Sequence, residues 1–272
     1  MPAEHTRARP ARRWHAYAAE FAGTALLVFV GLGVVIFDFA PGSPTAVLGS
    51  GFAVRLLTGL LFGGTGALIA LSPLGRLSGA HLDPVVSWAF WLVGSLSALD
   101  AVAYTVCQFA GATVGALALP AVWGRAGAAV RYGATLPMSG LTPWAAVGGE
   151  VLVTFALVGG ILWFVGHPRL RAFTPALLPP LVALLVAFEA PLSGTSMNPA
   201  RSLGPALVAG ALGPLWVYLL GPAVGALAAA VSVVHPQRVH VAKLAHHDHD
   251  PHDRFHGPAA HSPAARLRRP GR

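Results

Sequence analysis

Six stretches of the chain are apolar over about the 20 residues that a helix needs to cross a bilayer, at roughly 16–38, 46–70, 99–119, 144–165, 174–190 and 212–234. Two further apolar runs, after Pro84 and after Pro199, are too short to do so. At about ten residues and 1.5 Å per residue each reaches about 15 Å, half of a hydrocarbon layer roughly 30 Å thick. A helix of that length enters the membrane and must return to the side it came from, so the two runs read as re-entrant half-helices. The order is span, span, half-helix, span, and then the same again. Three spans per half force the second half to lie inverted relative to the first. The expected fold is an all-α membrane protein of six transmembrane helices plus two re-entrant half-helices, built as an inverted repeat.

The predicted organisation is a cytoplasmic N-terminal segment at 1–15, a channel domain at 16–235 with repeats at about 16–120 and 144–235, and a disordered His-rich cytoplasmic tail at 236–272. A content of 55% apolar and 10% charged residues leaves too little charge to cover a soluble surface. The 32 Gly and 23 Pro fit close helix packing in lipid, where small residues let backbones approach. A single cysteine, Cys107, excludes an intramolecular disulfide. The apolar run from Tyr17 continues to Phe37 without a small-residue cleavage site, so it reads as a span rather than a signal peptide.

Net charge is +8, with arginines concentrated toward the two ends, which reads as the flanks of a membrane protein and not as a nucleic-acid surface. With a cytoplasmic N-terminus, 14 of the 18 Lys and Arg fall on the cytoplasmic side, and the other four are Arg55, Arg125, Arg131 and Arg201. The positive-inside rule therefore predicts both termini in the cytoplasm of a multi-pass inner-membrane protein.

Each short apolar run is preceded by a related sequence: Ser78-Gly79-Ala80-His81-Leu82-Asp83-Pro84-Val85 and Ser193-Gly194-Thr195-Ser196-Met197-Asn198-Pro199-Ala200-Arg201. Asx-Pro marks a helix start, because the Asx side chain accepts from free N–H groups and Pro fits the first helical position. The duplication extends to Glu20 and Glu150, which occupy matching places in the first span of each half. Buried in a span, these two are expected to accept N–H groups from irregular loops that meet no water.

Ser-Gly-Ala-His-Leu-Asp-Pro, Met-Asn-Pro-Ala-Arg-Ser and the Ala-Glu-Phe-Ala-Gly-Thr opening resemble the aquaporin and glycerol-facilitator family. The likeness covers about residues 16–235. The run from Met197 to Leu207, with Trp216-Val217-Tyr218-Leu219-Leu220-Gly221-Pro222, is most similar to the nodulin-like intrinsic proteins and their bacterial relatives. The resemblance implies a homotetramer in a lipid bilayer that passes small neutral solutes, with no cofactor. It implies constriction motifs at Asp83, Pro84, Val85, Asn198, Pro199 and Ala200, and places Arg201 in an outer selectivity filter.

Counting back from the two Asx residues, as the family does, lands on Gly63, Val186 and Thr195 as the rest of the filter. Water-selective members carry a bulky aromatic and a histidine at the first two positions, so Gly63 and Val186 imply a wider, less polar aperture. Such an aperture suits water, glycerol, urea or metalloid hydroxides; close helix packing is the competing reading of Gly63. Ser202 stands where glycerol facilitators carry an acid, which lowers the dedicated glycerol reading. Asp83 departs from the family's Asn and Val85 from its Ala. An Asp caps as well as an Asn, but when ionised it cannot donate; Asp83 reads first as a cap facing protein, and the alternative is a negative charge that weakens the exclusion of cations.

His81 reads as a loop anchor. His246, His247, His249 and His252 in the tail are weak candidates for a metal. The sequence carries no Ser-His-Asp arrangement, phosphate loop or paired catalytic carboxylates, so no enzyme is expected. The expected function is a passive channel for small uncharged solutes. The alternative is a proton-coupled or ion-conducting transporter that uses Asp83, Glu20 and Glu150.

Overall fold

The computed structural model describes residues 10–232 and 243–245. Ten α-helices follow one another in the described chain: α1 Pro10–Phe39, α2 Gly51–Leu71, α3 Pro73–Ser78, α4 Pro84–Leu92, α5 Ala98–Leu117, α6 Leu119–Ala129, α7 Pro143–Gly166, α8 Thr174–Ser193, α9 Pro199–Ala209 and α10 Leu215–Ser232. Among them α1, α2, α7, α8 and α10 are each long and apolar enough to cross a membrane. The sixth crossing is α5, which meets the same measure together with α6, from which it is bent by 73°. Helices α4 and α9 are the half-helices.

Sequence chemistry fixes the ends. Ser50, Ser72, Asp83, Ser97 and Asn198 each occupy the N-cap and accept a backbone N–H in the first turn of α2, α3, α4, α5 and α9. Pro73, Pro84 and Pro199 follow three of these caps directly, where a missing N–H costs no bond.

Three helix pairs carry the bundle: α1 on α5, α7 on α10, and α2 on α8 across the two halves. The first two are copies of each other. A Cβ on Gly111 of α5 would lie 2.2 Å from the Phe21 carbonyl oxygen of α1, and one on Gly225 of α10 would lie 2.5 Å from that of Val151 in α7. Only glycine allows backbones this close. In the same register, the Tyr104 hydroxyl donates to the Ser78 carbonyl at 2.7 Å and the Tyr218 hydroxyl to that of Ser193 at 2.6 Å. The duplication seen in the motifs thus runs through the packing.

Some boundaries differ from the sequence reading. Helix α1 begins at Pro10, inside the segment read as an N-terminal flank, and α3 and α6 were not anticipated. Helix α6 arises because Pro120 permits a helix start but not the unbroken continuation of α5. The tail histidines His246, His247, His249 and His252 lie outside the described residues.

Candidate pore and its two chambers

Two irregular loops, each after a left-handed glycine, lead into the half-helices. Gly79 has φ +95°, followed by Ala80 and Leu82 at +54° and +56°; Gly194 has φ +84°, followed by Thr195 and Met197 at +48° and +55°. A left-handed residue with a side chain costs on the order of 1 kcal/mol, so four of them need compensation. Two buried glutamates supply it. Glu20 accepts the N–H groups of His81 and Leu82 at 3.0 and 2.8 Å, and the Gln108 amide at 2.7 Å. Glu150 accepts those of Ser196 and Met197 at 2.6 and 2.8 Å, and the Ser193 hydroxyl at 2.6 Å. His81 stacks on Phe90 and lies 3.0 Å from the Ser87 hydroxyl through Nδ1, so its ring is held by the protein.

The loops meet where α4 and α9 begin, so two helix N-termini converge. Asn198 Oδ1 accepts from Ala200 and Arg201, while its Nδ2 donates across to the Leu82 carbonyl at 2.9 Å. One amide therefore caps its own helix and ties the halves together. Asp83 Oδ1 caps α4 by accepting from Val85 at 2.9 Å. An ionised carboxylate has no hydrogen to return the bond that Asn198 makes, so the pair is asymmetric in chemistry though alike in backbone. Pro84, Val85, Pro199 and Ala200 are buried in the first turns.

Two cavities adjoin this meeting point, and both half-helix caps line the first. One, of about 90 Å³, is lined by Gly63, His81, Asp83, Asn198 and Leu244 among others; the second, of about 80 Å³, holds Arg55, Gly59, Val186, Thr195 and Arg201. Phe62, Val182, Ser196 and Met197 line both, which makes the cavities successive chambers of one path. Each exceeds the roughly 10–15 Å³ that a water molecule needs in such a measure.

In the Arg201 chamber, Arg201 is 6% exposed; its guanidinium donates from Nη1 to the Gly133 carbonyl at 3.1 Å and lies 5.9 Å over the Phe62 ring. The Thr195 hydroxyl donates to Glu189 Oε2 at 2.6 Å, leaving its oxygen as an acceptor. Ser202 faces protein: its hydroxyl bonds with those of Ser196 and Thr135 at 2.5 and 2.8 Å. Its identity therefore tells less about the solute than the sequence reading took it to.

Val186, Thr195 and Arg201 come together as counting placed them, but Gly63 does not join them. It lines the Asp83 chamber, and a Cβ there would meet the Leu178 oxygen at 2.8 Å and the Pro179 Cα at 3.0 Å. Close packing against α8 is the geometry of Gly63. Gly59, one turn earlier, faces Val186, and Phe62 brings an aromatic ring to the arginine. Sequence reasoning missed Phe62, Gly59 and Glu189. For Glu189 a signal existed, since it is an acid inside an apolar span.

A family model described as "Major intrinsic protein" matches residues 7–233. The chain belongs to the major intrinsic protein family. It is similar to Aquaporin NIP1-4 of Oryza sativa subsp. japonica, 36% identical over 78% of this chain and 73% of that one. It is also similar to Aquaporin TIP2-1 of Zea mays, at 35% over 77% and 82%. Glycerol uptake facilitator protein-like 6 of Lactiplantibacillus plantarum is 35% identical over 79% and 94%. Near-equal identities to these types mean that likeness alone singles out no one of them. The fold matches the X-ray structure of the aquaglyceroporin from Plasmodium falciparum with a TM-score of 0.65 at 21% identity, covering 80% of this chain and 94% of that one. As a major intrinsic protein, the chain is a multi-pass membrane channel and not an enzyme.

Proposed function

We propose that the chain passes small uncharged solutes passively, water and glycerol or urea-sized molecules among them, through a filter made by Phe62, Val186, Thr195 and Arg201. The single observation that carries this reading is the mixed lining of the Arg201 chamber. Arg201 offers hydrogen-bond donors, Thr195 an acceptor, and Phe62 with Val186 an apolar wall. A polyol or amide with hydroxyl or amino groups along one edge and carbon along the other meets all three. With the Phe62 ring beside Arg201, this reading takes a narrower aperture than Gly63 in that place would give. Metalloid hydroxides remain within the size class.

Charge exclusion rests on the same geometry. Two helix N-termini converge on the midpoint and Arg201 adds a full positive charge, both of which raise the energy of a cation; the Asp83 carboxylate opposes them. The transporter reading needs acids that face the path. Glu20 and Glu150 are fully buried with their oxygens taken by loop donors, and neither lines a chamber. Asp83 alone does.

In this reading residues 16–235 form the channel domain, both termini are cytoplasmic, and four copies associate in the inner membrane through lipid-exposed apolar faces. Stopped-flow shrinkage of proteoliposomes with water, glycerol, urea and boric acid tests it. Repeating the assay across a proton gradient with a pH dye tests the mechanism. Flux that needs the gradient would overturn the passive reading, and light scattering of the detergent-purified protein would test the tetramer.

A further inference from the structure

Residues 243–245 follow the last helix only after ten further residues, yet Leu244 lines the Asp83 chamber. Leu244 is 4% exposed and lines the Asp83 chamber together with Leu157, Ile161 and Leu178. Leu244 and Ala245 belong to the same apolar cluster as Leu82, Val86 and Val182. Two hydrogen bonds fasten the segment: the Leu244 N–H donates to the Gly79 carbonyl at 3.0 Å, and Lys243 Nζ to the Arg76 carbonyl at 3.1 Å. Arg76 is in the last turn of α3, where carbonyls lack helical partners and a cation is favoured.

We infer that this mouth is a binding site for the chain's own segment Lys243-Leu244-Ala245, and that docking there closes the path; the inference rests on the channel reading above. The site reads one backbone N–H at Gly79, a cation at the end of α3 and one branched apolar side chain in the chamber. Topology agrees, because six crossings return α10 to the side where α1 begins and where the Gly79 loop enters. The segment is tied to α10 through residues 233–242. Because the segment is covalently joined to α10, its docking is an intramolecular event, and a weak contact suffices to keep the mouth filled. Weakness also makes it releasable. The Leu244 side chain presents no hydrogen-bonding group to the chamber it lines, so a polar solute arriving from the Arg201 side meets apolar surface there.

Leu244→Asp in the full chain tests closure, because a carboxylate cannot enter that apolar lining without a partner. If the segment fills the mouth about 90% of the time, solute-driven shrinkage of proteoliposomes should speed up about tenfold. Docking is read separately. In a Cys107→Ser background, Leu244→Cys in detergent-solubilised protein should react with a bulky maleimide at least about tenfold more slowly than Ser262→Cys. Equal labelling rates would overturn docking. Equal shrinkage rates of Leu244→Asp and the parent, with slow labelling, would overturn closure. If no variant conducts any solute, the channel reading itself falls, and the labelling still decides whether the tail docks.

Discussion

The guanidinium carbon of Arg201 lies 5.9 Å from the centre of the Phe62 ring, so this buried cation rests over an aromatic face. Such a pair is worth about 0.5–2 kcal/mol and holds the arginine against the wall instead of across the path. Phe62→Ala should widen the chamber and raise the ratio of glycerol to water permeability. Gly63→Trp should act differently: its Cβ has α8 backbone atoms at 2.8–3.0 Å, so loss of folded protein is expected ahead of any change in selectivity. Shrinkage assays on Phe62→Ala and size-exclusion profiles of Gly63→Trp check the two; an unchanged ratio in the first would count against the ring as a filter wall.

Thr195 and Glu189 should behave as a unit. With its hydrogen given to Glu189, the Thr195 hydroxyl can only accept from solute. Glu189→Gln retains an acceptor and should leave permeability near that of the parent, whereas Glu189→Ala should alter the solute ranking as Thr195→Val does. The double change should cost less than the two singles summed, with a coupling of about 0.5–3 kcal/mol in apparent activation energy. Additive effects would show that the two residues act separately.

Replacing Glu150 by Gln turns one acceptor oxygen into a donor, which then faces either the Met197 N–H or the Ser196 N–H together with the Ser193 hydroxyl. An uncompensated buried donor costs about 1–3 kcal/mol, so a drop of several degrees in Tm is expected. The matching Glu20→Gln should do likewise. A Tm within a degree of the parent for both would mean that the loops do not depend on these acceptors.

Asp83→Asn should preserve the α4 cap and keep neutral-solute flux, because Asn caps as well as Asp. It also restores an amide able to donate toward the opposite loop, so a gain in Tm is expected. Asp83→Ala removes the cap and should cost about 1 kcal/mol. A dye-based proton leak that falls on Asp83→Asn would show that the charge faces the path.

Hydrophobic length and a duplicated local motif leave direct marks in a sequence, and accordingly the six spans, the half-helices and the Glu20–Glu150 correspondence were all legible. Rotation of a helix about its axis is not marked in this way. Whether Phe62 or Gly63 meets Arg201 is decided by Gly59 and Gly63 pressing α2 onto α8, a contact between segments more than a hundred residues apart. Phe62 and Gly63 are one residue apart, which on a helix is a turn of about 100°, so a count along the chain does not say which of the two reaches the arginine. Lys243-Leu244-Ala245 is too short to leave a periodicity, and its company of histidines and charges made it read as tail.

The loops at the midpoint have almost no freedom left. Four backbone N–H groups are clamped by two fully buried carboxylates, and Asn198 stitches one loop to the other. Shifting either loop would break several of these bonds at once, so the waist is built as a fixed aperture. A molecule made this way cannot throttle itself at its centre. Any valve it possesses has to be hung at an entrance, where a few residues can swing without unpicking the frame.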